Sequence, residues 1–167
     1  MFEAGTLIAR ANTLFGEADR LADRYNERKA THIAACLADL KRDIENEKAD
    51  LYQRGAYRIG ENLDNEDITR SICILNGLLP LVELSKAAIK GELKVYKVVY
   101  YHDGEWYDIY TGYSLEEARK VAKNDKYEIR IYTPWKPIEL MNENDLADLF
   151  DADGVFAEYE IYKEATV

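Results

Sequence analysis

Early in the chain, apolar side chains recur at three- and four-residue intervals: Leu7, Ile8, Ala11, Leu14, Phe15, Ala18, Leu21, Ala22 and Tyr25. That spacing lays one broad apolar stripe along a helix. Leu7, Leu14 and Leu21 also repeat every seven residues, a weak coiled-coil signal when taken alone. A second stripe follows in Ile33, Leu37, Leu40, Ile44 and Leu51, with Glu47 where another apolar residue would fall. Charged residues such as Lys41, Arg42 and Asp43 fill the opposite side. No Gly or Pro separates Glu17 from Arg54. The stretch is therefore either one long helix or a helical hairpin turning within residues 26–31.

Gly55 and Gly60 break this region, and residues 62–65 read as a loop with a helix cap. The next helix starts near Asp64 or Asn65, with Glu66 and Asp67 placed favourably against its dipole. It carries Ile68, Ile72, Leu75, Leu79, Leu81, Val82, Leu84 and Ile89, apolar nearly all round, so it is expected at the centre of a helical core. Asn76-Gly77 and Pro80 predict a kink or a split, and Gly91 a C-terminal stop.

After Gly91 the period changes to two. Residues 93–101 (LKVYKVVYY) are β-branched and aromatic, hence a strand; Asp103-Gly104 is a tight turn, and residues 105–111 return. Ser114 and Glu117 have capping-box spacing ahead of a helix running to about Asn124. Residues 127–133 give a third strand, 144–150 a short helix and 155–162 a fourth strand. The expected fold class is α+β: long amphipathic helices over residues 1–91, then a β-β-α-β-α-β domain over 92–167. A right-handed crossover should set strand three beside strand one in a small mixed sheet with a helix on one face.

Composition adds little to this, and charge adds more. Of 167 residues 47% are hydrophobic, enough for a core. The longest apolar run, residues 71–84, is interrupted by Asn76, Gly77, Pro80 and Glu83, too short for the ~20 residues of a membrane span. Residues near the N-terminus lack a basic stretch ahead of an apolar block, so no secretory signal is expected. Cys36 and Cys73 sit in helical apolar patterns, which suits buried thiols in a reducing, cytoplasmic setting; a Cys36–Cys73 bridge is the alternative. Residues 1–91 carry 13 basic and 15 acidic side chains, whereas residues 92–167 carry 9 and 17. Near the end, Glu139, Glu143, Asp145, Asp148, Asp151, Asp153, Glu158, Glu160 and Glu164 face Lys163 alone. Such a surface repels phosphate backbones and attracts basic proteins, so direct nucleic-acid binding is disfavoured.

Candidate chemistry is thin. His32 and Cys36, four apart on a helix, have the spacing of a thiolate–imidazole or metal pair, but no third group completes it. Asp151, Asp153, Gly154 and Glu160 echo a calcium loop whose first ligand position is Leu149, so a plain Asp-Gly turn explains them as well. His102 lies in the hairpin turn with no nucleophile beside it. The glycines are scattered singly, so there is no phosphate-binding loop. No catalytic residue, metal site or cofactor is assigned.

Ten of thirteen tyrosines follow Gly91, joined by Trp106 and Trp135. Cross-strand packing explains some of them; Tyr and Trp are also preferred anchors of protein interfaces. The leading expectation is a non-enzymatic protein-binding module. Glu139, Glu143, Asp145, Asp148, Asp151, Asp153, Glu158 and Glu160, with Trp106, Tyr107 and Trp135, would dock on a basic partner that handles nucleic acid. Residues 103–124 (DGEWYDIYTGYSLEEARKVAKN) and the size and charge of the chain resemble small phage-encoded accessory proteins, among them anti-CRISPR and anti-restriction inhibitors. That resemblance implies an inhibitor acting in the host cytoplasm and assigns no residue. The alternatives are an assembly protein dimerising through its N-terminal helices, and a small-ligand binder or enzyme built from scattered Tyr, Glu and Arg residues.

Overall fold

The computed structural model describes residues 4–58, 66–151, 158–163 and 165. The chain is α+β and divides into two compact units, Met1–Lys90 and Gly91–Val167. In the first, α1 (Ala4–Asp23) and α2 (Glu27–Arg58) form a hairpin, so the uninterrupted stretch is two helices. Asn26 makes the turn: its side-chain oxygen accepts from Lys29 N at 3.0 Å, which caps α2. The helix runs on through Gly55, contrary to the expected break; that position faces Ile68 on α3 (Glu66–Ile89). α3 is likewise continuous across Pro80. Asn76 and Pro80 are both exposed there, so water can serve the carbonyl that loses its intrahelical partner.

The three helices close on one aliphatic core. Leu7, Leu14 and Leu21 from α1 meet Ile33, Leu37, Leu40 and Ile44 from α2 and Leu75, Leu78 and Val82 from α3. The seven-residue leucine seam is thus used inside the unit. Glu47 lies at a core-facing position, buried, and pairs with Arg54 at 3.3 Å. By length and composition α3 could cross a membrane, but Leu75, Leu78 and Val82 face the core and Glu83 pairs with Lys41 of α2 at 3.0 Å. It is not buried all round as expected: Cys73 and Ile74 are exposed, because two neighbouring helices leave an outer side. Cys36 is half-buried, and neither cysteine is bridged, so the buried-thiol expectation fails for Cys73.

Gly91, at φ +69°, ends the helical unit in the left-handed conformation that favours glycine. The second unit contains β1 (Val95–His102), β2 (Glu105–Gly112), α4 (Leu115–Val121), β3 (Tyr127–Tyr132), α5 (Glu143–Phe150) and β4 (Glu160–Lys163). The sheet order is β2-β1-β3-β4, with every neighbouring pair antiparallel. β3 does lie beside β1, but the sheet is not mixed. The connection through α4 carries the chain past β1, so β2 and β3, which share a direction, never pair; β1 and β4 share the other direction and are kept apart by β3. Asp103 and Gly104 both have positive φ, as a two-residue hairpin turn requires.

Ser114 caps α4 by accepting from Glu117 N at 3.3 Å. The Glu117 carboxylate does not close the box; it accepts from the Tyr110 hydroxyl at 3.0 Å instead. α4 stops at Val121, short of Asn124. A full reciprocal box forms at α5, between Asn142 and Asp145.

Candidate functional site

The two faces of the sheet are built differently. Beneath α4, Val98 and Ile129 pack on Ala118 and Ala122, ringed by Tyr96, Tyr110 and Tyr127. The α5 face sets charges among rings. Lys97, only 9% exposed, holds Asp108 of β2 at 2.8 Å and lies 4.5 Å from the centre of the Phe150 ring. Arg130 pairs with Glu128 at 2.5 Å, its guanidinium 5.0 Å from the Trp106 ring and 4.7 Å from that of Tyr159. Burial opposes charge on Arg130, but the hydrogen bond and field of Glu128 outweigh it and raise its pKa. None of Lys97, Asp108, Glu128 and Arg130 was expected to matter. The available signal was parity: Lys97 is in step with Val95 and Val99, and Glu128 and Arg130 with Tyr132, so opposite charges share one face.

The acids expected to form one patch separate into two kinds. Glu139 accepts from the Tyr113 hydroxyl at 2.5 Å, and that hydroxyl accepts from Ile138 N at 2.8 Å. Burial, and then the bond to Glu139, pushes the Tyr113 phenol well above its usual pKa. Asp145 receives Lys136 at 2.7 Å and the Asn142 N–H at 3.0 Å. Lys136 first, and that backbone bond second, hold its carboxyl below the usual range. Both acids serve the fold. Glu143, Asp148, Glu158 and Glu160 are exposed and make no ion pair among the described residues. Asp151 is half-buried and has a partner; Asp153 lies outside the described residues.

The aromatic candidates also divide. Trp106 and Tyr107 are adjacent on β2 and so point to opposite faces. Trp106 packs on Tyr101 at 5.0 Å, while the Tyr107 hydroxyl donates to Glu105 at 3.1 Å. Trp135 is half-buried between β3 and the 3-10 turn Ile138–Leu140.

Among the described residues, β2 and β4 are the sheet's two edges. Of the eight large hydrophobic side chains exposed among the described residues, Trp106, Tyr107 and Ile109 lie on β2 and Ile161 and Tyr162 on β4. β2 bears a bulge where the register shifts between Val98 and Val99, leaving Ile109 unpaired; such bulges blunt an edge against further pairing. Along β4, Glu158 and Glu160 line a concavity of about 530 Å³ with Ile131, Thr133 and Tyr159.

The remaining candidates resolve simply. The Cys36 sulfur lies 3.7 Å from His32 Nε2, near the surface. His102 contacts Asp103 at 3.2 Å and stacks on Tyr100. Glu160 belongs to β4, the Asp153-Gly154 turn lies outside the described residues, and among those described no group of three His, Cys, Asp or Glu could hold a metal ion. No family model, curated protein or solved structure matches the chain.

Proposed function

We propose that this chain is a non-enzymatic protein-binding module that docks the β4 edge of its sheet unit on a basic surface of another protein, as an inhibitor of a nucleic-acid-handling partner. One observation supports this: exposed apolar side chains and carboxylates with no ion pair among the described residues lie along the same edge strand. Ile161 and Tyr162 are 50% and 46% exposed, and Glu158 and Glu160 immediately precede them without an ion pair among the described residues. Carboxylates held in a row can occupy a Lys/Arg groove that otherwise receives phosphates. The neighbouring ring and isoleucine supply area that can be dried on contact. The unit's 17 acidic against 9 basic side chains would steer encounter with a cationic partner, at a rate that falls as salt screens it.

The test is affinity capture from host extract with the whole chain as bait, beside Glu158→Lys/Glu160→Lys. The reading expects a basic protein held at low salt, lost at moderate salt and absent from the variant bait. A partner retained equally by both baits would place the contact elsewhere.

A further inference from the structure

The helical unit has a concavity that the docking reading does not use. It lies between α1 and α2 near their connecting turn, has a volume of about 570 Å³ and is floored by Leu21 and Ile33. That volume falls within the ~300–1,000 Å³ usual for small-molecule sites. Arg20, Arg24, Lys29 and His32 stand around it, with Glu17 and Asp23.

Several cations of the unit are paired, while Arg28, Lys48, Arg70 and Lys90, like those at the concavity, make no ion pair among the described residues; what distinguishes Arg20, Arg24 and Lys29 is that they gather around an apolar floor. Elsewhere, Arg10 pairs with Asp43, Lys41 and Lys86 with Glu83, Arg42 with Asp39, and Arg54 with Glu47. Arg20, Arg24 and Lys29 make no ion pair among the described residues. Arg20 Nε donates to the Gly16 carbonyl of its own helix at 3.2 Å. Cations left unpaired around an apolar floor suit a ligand with a negative group and an apolar body. Three cations against two carboxylates leave one net positive charge, His32 not counted. The match is therefore to a single negative charge and not to a polyphosphate.

We infer that the concavity between α1 and α2 binds a small organic monoanion, a carboxylate or sulfonate carrying an apolar ring or chain. The anionic group sits among Arg20, Arg24 and Lys29, and the body lies on Leu21 and Ile33.

The chain has two histidines, and they make the test local: His32 lines the concavity and His102 lies in the sheet unit's hairpin. The probe is anilinonaphthalene sulfonate, titrated into the whole protein while both histidine ring signals are followed by proton NMR; a His102→Gln variant assigns them. The His32 signal should move and saturate while that of His102 stays still. Arg24→Glu/Lys29→Glu should weaken the response about tenfold or more, since two attractions become repulsions. If that variant loses its helical circular dichroism, Arg24→Gln/Lys29→Gln replaces it. Pyrophosphate at the same concentration should move His32 less. No movement of His32, movement of His102 alone, a response unchanged in the variants, or tighter binding of pyrophosphate would each overturn the assignment.

Discussion

The two units handle charge in opposite ways. Apart from Glu47 and its pair with Arg54, the helical unit keeps an aliphatic interior and arranges most of its ion pairs along the surface, as with Arg42 and Asp39, 65% and 54% exposed. The sheet unit folds Lys97, Glu128 and Arg130 in among rings and leaves Glu158 and Glu160 on its rim. Geometry accounts for the difference. Three helices bring their apolar sides onto one shared core. A four-stranded sheet has two faces to cover, and among the described residues of its own unit the helices set against them, α4 and α5, are short. Long Lys and Arg stems and aromatic rings do the rest. Similar ion pairs should therefore matter little in one unit and a great deal in the other.

The sharpest way to break that contrast is Arg130→Ala. It strips Glu128 of its cation in a desolvated place and removes the plate between Trp106 and Tyr159. A loss of about 3–5 kcal/mol in urea unfolding is expected. Replacing the pair together, Arg130→Met with Glu128→Gln, should recover part of it; a loss no larger than a surface pair gives would erase the distinction. Leu37→Ala tests the other interior. A fully buried leucine in a closed core should cost about 2–5 kcal/mol on truncation, read from the same titration.

Tyr113→Phe comes next, at about 1–3 kcal/mol, because the Ile138 N–H loses its acceptor and Glu139 its donor. This variant also has a pH signature. The folded chain holds the Tyr113 proton above the pH, about 10, at which an unfolded tyrosine releases it. Stability from this group is present below that pH and declines as pH climbs through the raised folded value. Unfolding midpoints measured on either side of pH 10 should therefore separate less in Tyr113→Phe than in the parent. Smallest of all is Arg42→Ala, expected within about 0.5 kcal/mol by thermal melting. A loss several times larger would show that the helical surface pairs are not as weak as their exposure implies.

Sequence periodicity carried the architecture wherever one face of an element is buried. The spacing from Leu7 to Leu21 and from Ile33 to Ile44 is the core as built, and Asp103-Gly104 is the hairpin turn. It failed where the deciding partner is distant in the chain. Glu139 and Asp145 look like surface acids until Tyr113 and Lys136 arrive from elsewhere in the sequence. Glu117 has the spacing of a capping box, but Tyr110 takes its carboxylate. The expected order already put β1 between β2 and β3; whether the sheet would be mixed turned on the direction in which β4 joins β3, which alternation cannot encode. Of the proposed docking residues, the chain's local pattern marked Glu158 and Glu160 as acidic, but only strand order shows that they border an open edge.

The claim that most depends on the rest is that carboxylates and apolar side chains along β4 meet a cationic protein. Stopped-flow association of the whole chain with a captured basic partner, over increasing salt, addresses it directly. The rate should drop steadily as salt rises, and Glu158→Lys/Glu160→Lys should associate slowly at every salt concentration. A rate indifferent to ionic strength, or equal for the two proteins, would contradict it.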